Sequence, residues 1–118
     1  MDNEQIREVI FYGDFFWDFY KKQSPKVKKK INWTIGLLKY LEVIPEKYLK
    51  HIEETDLYEI RVSFGNNIFR IFCFLDKGRL VIILNGFQKK TQKTPKNEIE
   101  KAMRLKKEYF ELKKQKHD

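Results

Sequence analysis

Cysteine is nearly absent from this chain, since Cys73 is the only one among 118 residues. An intramolecular disulfide is therefore excluded. Phe72 and Phe74 flank the thiol, which favours a small residue of the hydrophobic core. We expect a reducing, cytoplasmic setting.

Long apolar runs are also missing. No stretch approaches the roughly 18 apolar residues that a membrane-spanning helix needs, and the first residues are polar and acidic through Asp2 and Glu4. The sequence therefore predicts neither membrane insertion nor export. It shows no His/Cys/Asp/Glu spacing typical of a metal site, so we expect no metal and no other cofactor.

Acidic residues become scarce towards the end of the chain. The formal net charge is +8. Residues from Gly86 onward include 11 Lys/Arg and 5 Asp/Glu, whereas residues 1–85 include 14 Lys/Arg and 12 Asp/Glu. A clustered basic excess favours a nucleic acid or an acidic protein as partner, because lysines and arginines neutralise phosphates and release counterions. A merely solubilising surface is the plainer alternative.

Hydrophobic residues make up 42% of the chain and aromatic residues 15%, which is enough for one compact core. We find no repeat, low-complexity tract or linker. The sequence predicts one domain over residues 1–118.

Helix signals occur near both ends of the chain. Residues 6–12 predict a short strand, and a short helix follows over about residues 15–22. Ser24 and Pro25 are a cap and a first-turn proline, and they open a second helix that reaches Pro45. The apolar residues with helical spacing are Val27, Ile31, Ile35, Leu38 and Leu41 in this helix, and Ile99, Ala102, Met103, Leu105, Tyr109 and Leu112 in a third helix after Pro95.

The first turns of the second helix carry four lysines: Lys26, Lys28, Lys29 and Lys30. Their sign opposes the helix dipole, which costs a few tenths of a kcal/mol per exposed charge. The pattern weakly indicates a partner surface, and a solvated face is the alternative.

Three strands are predicted in close succession, over residues 57–64, 68–75 and 80–84, with turn residues between them. Residues 46–56 have no clean period and are predicted to form a loop. The expected fold class is α+β, with a small twisted antiparallel sheet of about four strands, two N-terminal helices and one C-terminal helix.

Two arginines lie inside these apolar strands. Alternation places Glu59 and Arg61 on one face of the first strand, away from its apolar set. A short hairpin can bring Arg70 beside Arg61 on the same surface. Because guanidinium groups stay charged and match phosphate, the pair indicates a polyanion site. The alternative is that Glu59 simply pairs with one arginine across strands.

A basic loop follows the third strand. Phe87 could stack on a base, and Lys89 and Lys90 could hold phosphates. The alternative is that Phe87 belongs to the core and that the lysines are only solvated.

Several short motifs in register carry a family resemblance. They are Leu57-Tyr58-Glu59-Ile60-Arg61, Phe69-Arg70-Ile71-Phe72, Asn85-Gly86-Phe87-Gln88-Lys89-Lys90-Thr91, Thr94-Pro95, Glu98-Ile99 and Ala102. The chain resembles the phage-derived, HigB-like branch of the RelE/ParE toxin superfamily over nearly its whole length. The resemblance implies a type II toxin that cleaves messenger RNA on the translating ribosome and is inhibited by an antitoxin, commonly a helix-turn-helix protein. It also implies a sheet with helices packed on one side, and catalysis without a metal.

The implied reaction is attack of a ribose 2′-hydroxyl on the neighbouring phosphate. Arg61 and Arg70 are the candidates for binding that phosphate, and Lys90 is the candidate catalytic lysine. The other candidate RNA contacts are Phe87, Lys89, Lys93, Lys50 and His51. One of Lys89 and Lys90 could act as general base, and His51 could transfer a proton or be incidental. The residues leave the general acid and base open.

Two other functions remain compatible with the residues. One is a ParE-like gyrase poison, which acts by binding protein. The other is a decayed toxin that only binds antitoxin or nucleic acid. For a toxin, we expect an acidic or amphipathic antitoxin segment over the Arg61/Arg70 face, bound in a salt-dependent manner.

Overall fold

The helix and strand boundaries follow capping and turn residues of the sequence. The computed structural model describes residues 4–117. In chain order the elements are β1 (Glu8–Phe11), α1 (Phe15–Tyr20), α2 (Pro25–Tyr40), β2 (Leu49–His51), β3 (Tyr58–Phe64), β4 (Asn67–Asp76), β5 (Leu80–Lys89) and α3 (Lys96–His117). Helix α2 begins at the predicted cap, where the Ser24 hydroxyl accepts a hydrogen bond from the Val27 N–H at 3.3 Å. The α+β class and the three helices are confirmed.

The sheet has five strands in the order β1-β5-β4-β3-β2. Strands β2 to β5 pair antiparallel, which confirms the predicted meander, whereas β1 runs parallel to β5. The sheet is therefore mixed, and the buried strand β5 has a hydrogen-bonding partner on each side, β1 and β4. The prediction of a loop over residues 46–56 is wrong for Leu49–His51, which pair with the other edge of the meander.

Helices cover both faces of the sheet, so the expectation of helices on one side only is wrong. Helices α1 and α2 pack on one face over Ile60, Ile71 and Ile83. Helix α3 packs on the other face over Phe72 and Phe74. Strands β4 and β5 are apolar on both faces, and each apolar face must be covered to leave water.

Strand β5 contains a bulge that changes the direction of its later side chains. Ile71 pairs with Gly86 and Cys73 pairs with Ile83, so β5 uses one more residue than β4 across this interval. Gly86 then faces α1, where an added Cβ would lie 2.6 Å from the Phe19 ring. Because of the bulge, Phe87 and Lys89 point to the α3 side of the sheet.

Helix α3 is anchored by a buried carboxylate at the end of β4. Asp76 accepts hydrogen bonds from the Tyr109 hydroxyl at 2.8 Å and from the Lys113 ammonium at 2.7 Å. Burial alone would raise the pKa of Asp76, but the bonds from Lys113, Tyr109 and the Lys77 N–H outweigh it and lower the pKa to about 2. The anchor fixes the helix that covers the arginine face of the sheet.

Cys73 lies in the core below α1 and α2, as its aromatic neighbours predicted. Burial raises the pKa of its thiol to about 12, so the side chain is a packing residue. Among residues 4–117, no helix is both long enough and apolar enough to span a membrane.

Candidate functional site

The two arginines of the sequence motifs lie side by side on the sheet. Arg61 of β3 and Arg70 of β4 are direct partners in the strand register, and both side chains point to the α3 side. In the next row Lys50 of β2 pairs with Glu59. Lys89 of β5 pairs with Ile68, one row beyond the arginines. We call Lys50, Glu59, Arg61, Arg70 and Lys89 the arginine cluster.

Glu59 lies between the two guanidinium groups. Its Oε2 is 3.3 Å from the Arg61 Nε and 3.6 Å from the Arg70 Nε. Neither Nε has a hydrogen-bond partner among the described residues, although both atoms are buried. Buried donors without acceptors are rare and costly. Both Nε atoms are thus turned towards the Glu59 carboxylate and away from solvent, and an anion could reach the cluster only through the more exposed part of Arg61.

Burial and mutual repulsion lower the pKa values of two cations in the cluster. Burial is the larger cause for Arg70, with repulsion from Arg61 added and attraction by Glu59 opposing it. Burial also lowers the pKa of Lys89, and Arg70 is its strongest neighbouring charge. An arginine keeps its charge even so, whereas a lysine can give up its proton. Lys89 is thus the side chain of the cluster best suited to proton transfer.

Four cations face a single carboxylate in this cluster. Arg61 and Lys50 also lower the pKa of Lys89, so all four positive charges act within one small region. Arg70 is 6% exposed and Glu59 7%, whereas the Arg61 side chain is 29% exposed. A ligand would therefore meet Arg61 first and Arg70 beneath it.

Lys90 and Lys93 lie in the segment that follows β5. Lys90 shares a shallow groove with Lys89, next to Ile68 of the β3–β4 hairpin. Lys93 is exposed, and its carbonyl accepts a hydrogen bond from the Thr91 hydroxyl at 2.9 Å. Both lysines extend the basic surface of the cluster, but it is Lys89 that faces Arg70.

Phe87 and His51 occupy places that do not fit their proposed roles. Phe87 is 9% exposed and its ring packs 5.4 Å from Phe72, so it forms part of the core and cannot stack on a base in this conformation. The His51 Nε2 is 2.6 Å from the Thr55 carbonyl oxygen, and its ring packs against Tyr58. Alternation along β2 turns His51 away from Lys50 and from the arginine cluster.

Asn85, which the sequence analysis names only as part of a family motif, positions the end of β5 next to the arginine cluster. It is 1% exposed, lies in the bulge of β5, and donates to the Glu98 carboxylate at 3.0 Å. The contact ties the bulge to the first turn of α3, so the segment of Lys90 and Lys93 is held at both ends. A polar residue directly after an apolar strand was the available signal.

Fold and site together define a small α+β protein with a basic, partly buried cluster of charged side chains on one face of its sheet. The model of a protein family described as "Phage derived protein Gp49-like (DUF891)" matches residues 18–107 of the chain. The chain belongs to this family, which is RelE-like, as the sequence resemblance predicted at that level. Among curated proteins no significant match was found.

Proposed function

We propose that the chain is the toxin of a type II toxin–antitoxin pair, of the HigB-like branch, and cleaves messenger RNA on the translating ribosome. One observation carries the proposal. Arg61 and Arg70 are in direct register and share the single carboxylate of Glu59, beside a lysine whose pKa is lowered. Family membership supports the class of protein.

The proposed reaction is an internal displacement at phosphorus. The ribose 2′-oxygen forms a bond to the adjacent phosphorus and the bond from phosphorus to the 5′-oxygen breaks. The 2′-hydroxyl proton passes to a base and the leaving 5′-oxygen gains a proton, so the products are a cyclic phosphate and a free 5′-hydroxyl. The rate depends on stabilising the charge that develops on the phosphate oxygens.

Arg61, whose side chain is 29% exposed, would bind the scissile phosphate directly, and the more deeply buried Arg70 would add positive charge beneath it. Two guanidinium forks fixed on neighbouring strands supply positioned positive charge in a partly dry site. Glu59 holds both guanidinium groups in place without satisfying them. Lys89 is the proposed general base, and Lys50, Lys90 and Lys93 would bind flanking phosphates.

The proposed antitoxin covers the same cluster. A helix-turn-helix protein with an acidic or amphipathic segment would neutralise Arg61 and Arg70 and block RNA. Such a complex should weaken as salt rises, because its partly exposed charges are screened.

Cleavage by purified protein on programmed ribosomes tests this function. In a reconstituted translation mixture with one defined message, new 5′-hydroxyl ends should appear at discrete sites. Arg61→Ala and Arg70→Ala should each reduce the single-turnover rate by roughly 100- to 1000-fold, as for loss of one preorganised donor. Arg79→Ala is the matched control, because the exposed Arg79 side chain pairs with Glu42, away from the arginine cluster.

The cleavage experiment needs a folding control and has results that would reject RNA cleavage. Circular dichroism must first show that the Arg70→Ala variant is folded, and Arg70→Lys, which keeps the charge but loses the fork, provides a second variant. Intact messages in the presence of wild-type protein would contradict the nuclease. Inhibition of DNA supercoiling with intact RNA would instead indicate a gyrase poison.

A further inference from the structure

The outer face of α2 carries a basic and aromatic stripe that the arginine cluster does not use. Lys26, Lys29, Trp33, Gly36 and Tyr40 follow one another at intervals of three and four residues, which places them on one side of the helix. We call this set the α2 stripe. The residues buried on the opposite side are Val27, Ile31, Thr34, Ile35 and Leu38.

The charge of α2 has one sign only. The 16 residues from Pro25 to Tyr40 include five lysines and no Asp or Glu. Several of these lysines lie at the N-terminal end, where they oppose the helix dipole. A surface of this kind attracts anionic partners, and it repels a second copy of itself.

Gly36 lies in the middle of α2, where packing within the molecule does not require a glycine. A Cβ at this position would have no neighbouring atom within 4 Å. Glycine in a helix interior costs about 1 kcal/mol relative to alanine. Its flanking aromatics in the stripe, Trp33 and Tyr40, are 49% and 46% exposed. The gap between these two rings lets another backbone approach the helix closely.

Trp33 is held in place before any partner binds. The Tyr48 ring packs edge-on against it with centroids 5.4 Å apart, and the Lys30 ammonium is 4.8 Å from the centre of the Trp33 ring. Large aromatic side chains that are already fixed lose little entropy on binding and are frequent anchors of interfaces. Trp33 therefore has the properties of such an anchor.

We propose that the α2 stripe binds an acidic amphipathic helix of a partner protein. Small or apolar residues of that helix would lie over Gly36 between Trp33 and Tyr40, and its Asp or Glu residues would face Lys26 and Lys29. The 16-residue helix α2 is about 24 Å long, so it can accommodate about four turns of a partner. Duplex RNA fits less well, because its paired bases are not free to stack on the rings and the half of the stripe around Gly36 offers no lysine to its phosphates.

This surface is separate from the proposed RNA site. Helix α2 covers the face of the sheet opposite to the one that carries Arg61 and Arg70. A helix bound there would leave the arginine cluster open. Binding at the α2 stripe therefore does not depend on whether the chain cleaves RNA.

A titration followed by NMR tests the proposal. The probe is a synthetic 16-residue helical peptide with alanine and leucine on one face and glutamate on both flanks, added to the full ¹⁵N-labelled chain. Amide shifts are expected within residues 26–40 and at Tyr48. Gly36→Leu fills the gap while favouring the helix, and it should weaken binding about tenfold or more.

Matched charge reversals locate the binding further. Lys29→Glu should weaken binding of the peptide by about tenfold. Lys114 is an exposed lysine on α3, and Lys114→Glu should change the affinity for the peptide by less than about twofold. Absence of binding, or shifts confined to Arg61, Arg70 and Lys89, would overturn the proposal. A 20-base-pair RNA that shifts the stripe with equal affinity in wild type and Gly36→Leu would overturn it in favour of nucleic acid.

Discussion

Glu59 sets the balance of charge within the arginine cluster. One carboxylate stands between two guanidinium groups at 3.3 and 3.6 Å, and both Nε donors remain without a hydrogen bond. It therefore reduces the repulsion between Arg61 and Arg70 without neutralising the pair. An entering phosphate would add a second negative charge at the partly exposed end of Arg61.

Glu59→Gln should destabilise the fold and make it dependent on added anions. Removing the negative member of a buried ion cluster leaves Arg70 uncompensated, which costs roughly 3 kcal/mol in comparable cases. Chemical denaturation measures the loss, and sulfate should stabilise the variant more than the wild type. Glu42→Gln is the control, since Glu42 forms an exposed pair with Arg79 whose loss costs less than about 1 kcal/mol. A Glu59→Gln variant as stable as wild type would contradict this role.

Lys89→Arg should remove the pH dependence of cleavage. A general base must lose its proton before it can accept one, so the single-turnover rate of wild type should rise with pH until it levels off at the pKa of Lys89, below the ordinary 10.5. Arginine keeps the charge but not the proton transfer, and the rate should fall by roughly 100- to 10,000-fold. The cleavage rate of Lys90→Arg should still rise with pH, as that of the wild type does. Equal activity of wild type and Lys89→Arg would limit this lysine to phosphate binding.

The sequence predicted the arginine pair but not its surroundings. Alternation along β3 and β4 is local, so Arg61 and Arg70 could be placed on one face from the sequence. The bulge in β5 could not be foreseen, and it shifts the alternation by one residue, which turns Lys89 rather than Lys90 towards Arg70. The burial of Phe87 depends on contacts with Phe72 and α3, which no local pattern reports.

At the scale of elements, α3 is what converts an exposed sheet face into a partly dry site. Asn85 fixes its first turn through Glu98, and Asp76 fixes its later turns through Tyr109 and Lys113. The helix itself was predictable from its apolar spacing. Its two polar anchors were not, because each joins residues far apart in the chain.

Asp76 should make the stability fall in acid. Its folded pKa of about 2 lies below its ordinary value of 3.8, so its contribution is present above about pH 4 and is lost as the pH falls towards 2. The effect should be on the order of 1 kcal/mol after solvent screening, and Asp76→Asn should flatten this part of the curve. Urea unfolding between pH 2 and pH 6 measures it. Asp14→Asn is the control, since Asp14 is exposed and its side chain makes no capping hydrogen bond; an equal effect of both substitutions would contradict the anchor.

Across the whole molecule, positive charge is divided between two opposite surfaces. The arginine cluster lies on the α3 side of the sheet and the lysines of α2 lie beyond the other side. The net charge of +8 in the sequence could not show this division. Two surfaces of the same sign suit two different anionic partners bound at once.

Binding of single-stranded RNA to the arginine cluster should depend steeply on salt. Each neutralised phosphate contributes about −0.7 to the slope of log K against log salt, so the cluster should give a slope near −3, measured by fluorescence anisotropy with a non-cleavable 2′-O-methyl RNA. Lys89→Gln should reduce the slope by about 0.7, and Lys114→Gln on the exposed part of α3 should not change it. A salt-independent affinity would contradict electrostatic binding.

The parallel pairing of β1 with β5 has a consequence for the order in which the chain can fold during synthesis. Glu8 pairs with Leu80 and Phe11 with Ile83, so the two strands are separated by 72 positions of sequence. A chain is made from its N-terminus, so β1 is made before the other four strands of this sheet and obtains its hydrogen-bonding partner only when β5 follows. Until β5 has left the ribosomal exit tunnel, β1 has no strand to pair with and the arginine cluster has no Lys89. A nascent chain whose β5 is still inside the exit tunnel therefore lacks the complete arginine cluster.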